Sequence, residues 1–361
     1  MDTTDPEITF DEEGICSHCH QYKQMISNRK YLSKKEPYAL EKLIKRIKRG
    51  RRCKKYNCVI GVSGGVDSTY VAYKVKKLGL TPLAVHLDNG WNSEIAVNNM
   101  KGALKKLDID FYTVIADWAE FKDLQLSFLK ASTPDIEIPT DHALLAVLYE
   151  TAVKYKVKYI LSGHNIATEG GGVPAWSQGH GDWRYIKSIQ KKFGTKKLKK
   201  FPHYGPLKFL YYAFIKRIKW IPILDYFDYN KEQAKAVLKK EFGWKDYGGK
   251  HYESIYTRFV QGYILPKKFG FDKRRVHFSS LIWSGQISRE EAMEEIRKED
   301  YPLELQGQDK EYIIKKLGMT SEEFEQIINL SPKSFWDYPS YKKIFYKFKW
   351  LIAIYHSLKR Q

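Results

Sequence analysis

Residues 58–69, CVIGVSGGVDST, limit the fold of this chain more than any other segment. Apolar and small residues suited to a buried strand run into two glycines, and a helical pattern begins near Val66. Gly64 and Gly65 permit positive φ and a close approach of the backbone to a ligand. Amide groups at the start of the helix then point toward an anion. The segment therefore predicts a strand, a phosphate-binding loop and a helix.

Polar side chains in the same loop narrow the choice of ligand. Ser63, Ser68 and Thr69 supply hydroxyl donors, and Asp67 places a carboxylate among them. A carboxylate is favourable in an anion site when a divalent cation links it to the phosphates, so ATP-like triphosphate with Mg²⁺ is expected, with Asp67 as the magnesium ligand. The loop matches neither GxxxxGK[ST] nor GxGxxG, the two commoner nucleotide-binding patterns.

The segments around this loop predict a doubly wound parallel sheet of the α/β class. Strands are expected at 82–87, 111–115 and 158–162, with helical patterns between them. Ligands of such sheets bind beyond the carboxyl ends of the strands. Polar residues follow two of these strands: Asp88 after the first, and Gly163 with His164 and Glu169 after the last. Asp88 is equally typical of a turn or a helix cap.

The composition indicates a folded protein with a sizeable core, since 43% of the 361 residues are hydrophobic and 15% aromatic. Lys and Arg number 62 against 42 Asp and Glu, which leaves a net charge of +20. This excess suits a polyanionic substrate, nucleic acid or an anionic membrane surface, and equally suits a lysine-rich genome. The sequence shows no signal-like segment and no membrane-length apolar run, so a cytoplasmic protein is expected.

Four cysteines are too few for a secreted disulfide framework. Cys16 and Cys19 form a CxxC pair and are candidate Zn²⁺ ligands, with His18 and His20 beside them. Cys58 begins the predicted first strand and is expected in the core. Together with Cys53 it makes no second pair of good zinc spacing, so a zinc site and a metal-free segment both remain open.

A second group of charged residues lies between 243 and 275, among glycines and aromatics. These side chains are candidates for neutralising phosphates or a sugar carboxylate, although a lysine-rich surface is the alternative. The candidate substrate-binding residues are Lys250, His251, Glu253, Arg258, Lys268 and Arg274. Residues 187–219 carry dense lysine, which is typical of a solvated basic face. The sequence beyond 287 predicts helices, with capping boxes at 288–291 and 320–323.

The predicted organisation has four parts. Residues 1–52 form an N-terminal segment with the cysteine pair, and residues 53–185 form the nucleotide-binding domain. Residues 186–286 form a substrate-binding and phosphate-binding region, and residues 287–361 form a helical subdomain.

The SGGVDS loop resembles the pyrophosphatase loop of the PP-loop superfamily, whose members cleave ATP to AMP and pyrophosphate. Blocks at 59–68, 138–142, 162–171, 243–275 and 277–286 resemble the N-acetyl sugar amidotransferases of bacterial surface-polysaccharide and O-antigen biosynthesis. The resemblance extends over nearly the whole chain. It implies an enzyme that converts the acetamido group of a sugar, or of a sugar nucleotide, to an acetamidino group.

The same resemblance implies roles for individual residues and partners. Residues 63–69 hold the leaving pyrophosphate, and Asp88 and Gly163 contact the nucleotide. The candidate catalytic residues are Asp67, Asp141, His142, His164, Glu169 and Lys273. Ammonia is expected from a separate glutaminase subunit with a cyclase-like partner, because this sequence has no evident glutaminase domain. Family members carry a further CxxC upstream of the position where this sequence begins, so Cys16 and Cys19 account for half of a four-cysteine zinc site.

Two alternatives remain at this stage. PP-loop enzymes that thiolate tRNA or form lysidine adenylylate a base by the same chemistry, and they suit the positive charge. No familiar RNA-binding appendage appears in the sequence, so no nucleic-acid partner is expected. A basic scaffold that binds nucleotide without turning it over is the non-enzymatic alternative.

Overall fold

The computed structural model describes residues 1–28, 38–50, 55–299 and 301–347. Cys53 and the end of the predicted C-terminal subdomain, residues 348–361, lie outside the described residues.

Five parallel strands form one sheet in the order β3-β2-β1-β4-β5. The strands are β1 Cys58–Gly61, β2 Pro82–Asp88, β3 Phe111–Ile115, β4 Tyr159–Ser162 and β5 Lys219–Pro222. In register, Val59 of β1 lies opposite Leu83 of β2 and Ile160 of β4. The strand order reverses between β1 and β4, and ligands of open α/β sheets bind at such a reversal. The predicted α/β class is confirmed.

Helices cover both faces of the sheet. Those preceding β5 are α1 Ser17–Asn28, α2 Ala39–Arg49, α3 Val66–Lys77, α4 Glu94–Lys106, α5 Trp118–Ala131, α6 Ile138–Lys154, α7 Ile166–Glu169, α8 Trp183–Phe193 and α9 Pro206–Leu210. Successive residues of β1 point to opposite faces, so Val59 packs in one hydrophobic cluster and Ile60 in the other. Because both faces of the central strands are buried, β1, β2 and β4 read as nearly continuous apolar runs.

The second half of the chain is mainly helical. A π-helical turn, Tyr211–Ile215, continues α9 and leads into β5, and a longer π-helical stretch, Val260–Phe269, follows α11. The remaining helices are α10 Lys231–Phe242, α11 Ile255–Phe259, α12 Arg274–Trp283, α13 Arg289–Arg297, α14 Leu303–Leu317, α15 Ser321–Asn329 and α16 Tyr341–Lys347. Both predicted capping boxes are confirmed. In the part of the chain that the structure describes, no helix is long and apolar enough to cross a membrane.

The sheet extends past residue 185, where the sequence predicts that the nucleotide-binding domain ends. β5 lies within the predicted region 186–286 and pairs with β4, so that Ser162 faces Pro222. The segment after β5 therefore returns to the carboxyl ends of the strands, where the predicted loop lies.

Candidate active site

The glycine loop between β1 and α3 is shaped by close backbone packing. Gly64 has a φ of +87°, and a Cβ at this position would lie 2.1 Å from the carbonyl oxygen of Ala96 in α4. Any larger residue would displace the helix backbone, so glycine is required here. The Ser63 and Ser68 hydroxyl oxygens lie 3.2 Å apart, and the Gly65 amide donates to Ser63 Oγ at 3.3 Å. The loop thus gathers hydroxyl and amide groups at the start of α3.

Residues 244–253, far along the chain, cover this loop. The Trp244 indole Nε1 donates to the Gly64 carbonyl oxygen at 3.1 Å, and the Val66 amide donates to the Tyr247 hydroxyl at 3.3 Å. A Cβ at Gly65 would lie 3.1 Å from Oε1 of Glu253. Sequence patterns placed Glu253 in a substrate group but gave no sign of its approach to the phosphate loop.

Asp67, the second residue of α3, lies among charged groups at the base of the site. The Tyr229 hydroxyl donates a hydrogen bond to Asp67 Oδ1. Burial raises the pKa of Asp67, and the nearby Glu169 carboxylate raises it further, against the lowering effect of Lys231. Gly163, at the end of β4, packs directly on this turn, because a Cβ there would lie 3.2 Å from the Asp67 Cβ. The loop and the β4 end therefore meet as the sequence predicts.

Glu169, at the end of α7, forms a second charged cluster. His164 Nδ1 lies 2.8 Å from Glu169 Oε2, and Lys250 Nζ lies 3.5 Å from Glu169 Oε1. Burial alone would raise the pKa of Glu169, but Lys250 and His164 outweigh it and hold the pKa well below its usual value. The surroundings therefore favour the ionised form of Glu169, whereas they raise the pKa of its neighbour Asp67.

Two adjoining cavities open at the carboxyl ends of β1, β2 and β4. The smaller, of about 520 Å³, contains the glycine loop, Asp67, Gly163 and Lys231. The larger, of about 830 Å³, is lined by residues from 141 to 342, with Lys273 and Arg274 among them. The two share one wall, formed by Asp141, His164, Glu169, Lys250 and His251.

Two buried polar atoms at the smaller cavity have no hydrogen-bond partner among the described residues. They are Ser162 Oγ, at the end of β4, and Glu253 Oε2, beside Gly65. Buried polar groups are nearly always satisfied in folded proteins. Both atoms therefore indicate a polar ligand in this cavity.

A further cluster in the larger cavity was not predicted from the sequence. His180 Nε2 lies 3.0 Å from Asp135 Oδ2 and 3.4 Å from Asp141 Oδ2, and Lys273 lines the same cavity. Burial alone would lower the pKa of His180, but the two carboxylates raise it to about 9. Desolvation raises the pKa of Asp141 to about 6. Nothing in the spacing of residues 135, 141 and 180 indicates that they meet.

Several of the predicted site residues lie outside both cavity walls, among them His142, Asp88 and Thr69. His142 is fully buried in the core, where its Nδ1 lies 2.7 Å from the His180 carbonyl oxygen and its ring stacks on Tyr204. Burial lowers the pKa of His142 to about 4, so it is a neutral packing residue rather than an acid or base at the site. Asp88 accepts a hydrogen bond from the Gly90 amide in a turn, and Thr69 is buried within α3.

Only some of the predicted substrate-binding residues lie at the cavities. Arg258 forms a two-pronged ion pair with Asp309 of α14, at 2.6 and 2.7 Å. Lys268 donates to the carbonyl oxygens of Ile327, Ile328 and Leu330 at the end of α15. Both cations stabilise helix packing away from the cavities, which corrects their expected role. Arg274 lines the larger cavity, although its guanidinium is partly held by Asp272.

Among the described residues, the candidate zinc pair has no further ligand. The Cys16 and Cys19 sulfurs lie 3.3 Å apart, but His18 Nε2 bonds to Asp5 and His20 Nε2 bonds to Asp11. No cluster of three His, Cys, Asp or Glu side chains suited to a metal occurs among the described residues. Cys58 is fully buried in the sheet, as expected. The described residues therefore offer no zinc site.

The fold and the loop together define an α/β protein with an SGGVDS loop at the switch point of a parallel sheet. Residues 253–352 match the family model described as "LPS biosynthesis protein WbpG-like, C-terminal domain". This match confirms the resemblance to a surface-polysaccharide biosynthesis family in that part of the chain. It begins at Glu253, beside the phosphate loop, and includes Lys273 and Arg274 of the larger cavity.

Comparison with individual proteins gives more distant similarities. An uncharacterised protein of Methanocaldococcus jannaschii, MJ1599, is 24% identical over 307 residues, which cover 82% of this chain and 91% of that protein. A tRNA-specific 2-thiouridylase, MnmA 2 of Fusobacterium nucleatum, is 28% identical over 119 residues, which cover 31% of this chain and 34% of the thiouridylase. The structure of NMN synthetase from Francisella tularensis aligns with a TM-score of 0.30 and 17% identity, covering 58% of this chain and 93% of the synthetase.

Proposed function

We propose that this chain is an ATP-dependent N-acetyl sugar amidotransferase that converts an acetamido group to an acetamidino group in surface-glycan biosynthesis. The observation that carries the proposal is the shared wall of the two cavities. A nucleotide in the smaller cavity and a sugar in the larger one would meet at Asp141, His164, Glu169, Lys250 and His251. A reaction between two bound substrates needs this contiguity.

Activation by ATP overcomes the low reactivity of an amide. The amide oxygen attacks the α-phosphorus, the bond to the β-phosphate oxygen breaks, and pyrophosphate leaves with that electron pair. Ammonia then adds to the carbon of the O-adenylyl imidate, and AMP leaves with the C–O bonding electrons. The amidine remains on the sugar, and the protein contributes mainly positioning and charge stabilisation.

The residues of the smaller cavity suit the phosphate groups. Amides and hydroxyls of residues 63–68 would hold the leaving pyrophosphate, and Lys231 would neutralise charge from the opposite side. Asp67 and Glu169 are two neighbouring carboxylates, and one or two carboxylates with substrate phosphates are a common Mg²⁺ ligand set. When bound there, Mg²⁺ would supply charge neutralisation on the triphosphate.

Lys250 and His251 are positioned between the two substrates. Lys250 lines both cavities and is held by Glu169, so its ammonium would face the α-phosphate region. His164, bonded to the Glu169 carboxylate, is the candidate for accepting the proton that ammonia loses. Ammonia itself would come from a separate glutaminase subunit and its cyclase-like partner.

The decisive test incubates the purified chain with ATP, Mg²⁺, ammonium chloride and a panel of UDP-linked or free acetamido sugars. We expect AMP, pyrophosphate and a sugar product lighter by the mass difference between O and NH. Asp67→Asn should abolish product formation, whereas Asp88→Asn should retain it, because Asp88 caps a turn outside the cavity. Circular dichroism checks that both variants fold.

A parallel reaction with unmodified tRNA in place of the sugar distinguishes the proposed amidotransferase from an enzyme that modifies a tRNA base. If AMP release depends on tRNA and not on a sugar, the amidotransferase proposal is wrong and the chain modifies a tRNA base. ATP binding without AMP formation under any condition would favour a nucleotide-binding scaffold instead.

A further inference from the structure

An exposed apolar surface lies on α9 and the π-helical turn that follows it. Leu207, Phe214 and Ile215 are 83%, 71% and 70% exposed, and Leu210 and Tyr211 are exposed beside them. These five side chains form what we call the apolar patch. Single exposed apolar residues are ordinary, but five within one short helical segment mark an interaction surface.

The segment is anchored so that the apolar patch stays outward. Tyr212 is buried and stacks on Tyr149 of α6 at a ring-centroid distance of 5.1 Å. Phe209 packs its edge against the same tyrosine, and Lys208 Nζ pairs with Glu150 at 2.5 Å. The inner face of the segment thus holds it on α6, while the outer face remains available.

Positive charge surrounds the apolar patch. Lys216, Arg217 and Lys219 follow it directly and are exposed. No Asp or Glu occurs in the sequence between Asp182 and Asp225, although Lys and Arg recur throughout that stretch. An apolar strip with such a border matches an anionic surface, and the net charge of +20 adds long-range attraction.

We propose that the apolar patch and its basic border dock the protein on an anionic phospholipid bilayer. Short helices with large apolar side chains on one face and lysines beside them lie in the plane of the membrane interface. Lysine is depleted at protein–protein interfaces, so the basic border favours a lipid surface over a protein partner. The segment is too short to cross a bilayer, and the attachment is therefore peripheral.

The apolar patch is separate from the lining of both cavities. Asp141, near the start of α6, lines both cavities, whereas Glu150, which pairs with Lys208, lies about 13 Å further along the same helix. The smaller cavity reaches Leu148 of this helix, but none of the five side chains of the apolar patch is among the residues that line either cavity. This inference does not depend on the proposed reaction.

Vesicle flotation with the full chain tests the proposal. We expect the protein to float with vesicles of phosphatidylcholine containing about a third phosphatidylglycerol, and at least about tenfold less with phosphatidylcholine alone. The double variant Phe214→Asp/Ile215→Asp should lose binding at least about tenfold. Leu303→Asp is the matched control, since Leu303 is 73% exposed on α14, and it should bind as the wild type does.

Three results would overturn the proposal. Equal flotation with neutral and anionic vesicles, or none with either, would remove the lipid surface as the partner. Unchanged binding in the double variant would place the contact elsewhere on the chain. A wild-type dimer by light scattering that becomes a monomer in the double variant, without vesicle binding, would assign the apolar patch to a second copy of the chain.

Discussion

The hydroxyl of Tyr229 donates a hydrogen bond to the carboxylate of Asp67. Tyr229 follows β5, whereas Asp67 lies in the first turn of α3, so the bond joins the phosphate loop to the far edge of the sheet. Because burial and Glu169 raise the pKa of Asp67, this donor is one of the groups that favour its ionised form.

Removing that donor should weaken the ionised state of Asp67. Hydrogen bonds to charged groups contribute about 1.5 to 3 kcal/mol, so Tyr229→Phe should lower kcat/KM for ATP by roughly tenfold or more near neutral pH. Part of the loss should return as the pH is raised, because Asp67 then ionises without its donor. Tyr73→Phe, on the outer side of the same aromatic group, should leave kcat/KM unchanged. Steady-state pyrophosphate release measures kcat/KM for both variants. Equal kcat/KM values for Tyr229→Phe and Tyr73→Phe would contradict the role of Tyr229 as a donor to Asp67.

Lys231 is expected to bind triphosphate through its ammonium group. Burial lowers its pKa and Asp67 opposes that effect, so a phosphate ligand would stabilise the charged form. Lys231→Met should raise the KM for ATP by about tenfold or more. Lys239→Met, at an exposed position of the same helix, should leave it near the wild-type value. Isothermal titration with a non-hydrolysable ATP analogue gives the affinities directly, and similar affinities for the two variants would exclude Lys231 from the nucleotide site.

The cluster around His180 predicts a pH-dependent stability. Its folded pKa of about 9 exceeds the ordinary value of 6.5, so protonated His180 stabilises the fold. That contribution is fully present below pH 6.5 and is lost as the pH rises through 9. His180→Gln, which keeps a donor for Asp135, should flatten this decline in the free energy of unfolding. Urea denaturation at pH 6.5 and pH 9 measures this decline, with His20→Gln, at an exposed position of α1, as the control. A decline in His180→Gln equal to that of the wild type would disprove the coupling.

Arg258 should stabilise the fold without acting on substrate. Its ion pair with Asp309 is nearly buried, with side chains 15% and 6% exposed, and the Tyr301 hydroxyl donates to the same carboxylate. Removing one partner of a buried pair costs about 3 to 5 kcal/mol. Arg258→Met should therefore lower the free energy of unfolding by about 3 kcal/mol and keep the wild-type KM at low temperature. The control Arg289→Met, at an exposed position, should change neither the free energy of unfolding nor the KM. A rise in the KM of Arg258→Met without a loss of stability would show that Arg258 binds substrate after all.

The local pattern of the sequence predicted the first four strands because each is a short apolar run. β3 matches its expected range, and β2 and β4 each differ from prediction by one residue at an end. β5 was missed because Lys219 and Trp220 lie in a stretch that reads as a basic surface. An edge strand needs no regular apolar pattern, and here pairing with β4 defines it.

The sequence predicts those parts of the candidate site that are neighbours in the chain, and it does not predict those that packing brings together. The glycines and Asp67 of the loop lie close together in the chain, so a short stretch of sequence is enough to predict their chemistry. The approach of Tyr229, Lys231 and Glu253 depends on chain reversals after β5 that no short pattern specifies. His142 was misassigned because a buried histidine and a catalytic one look alike in sequence.

The contacts of Trp244 and Tyr247 with the glycine loop have a consequence for synthesis on the ribosome. Residues 58–69 leave the exit tunnel long before their covering segment is made. A nascent chain therefore lacks the segment that covers the glycine loop until residue 253 has emerged. A fragment that stops at residue 243 lacks both contacts, and under the proposed function it should not retain nucleotide.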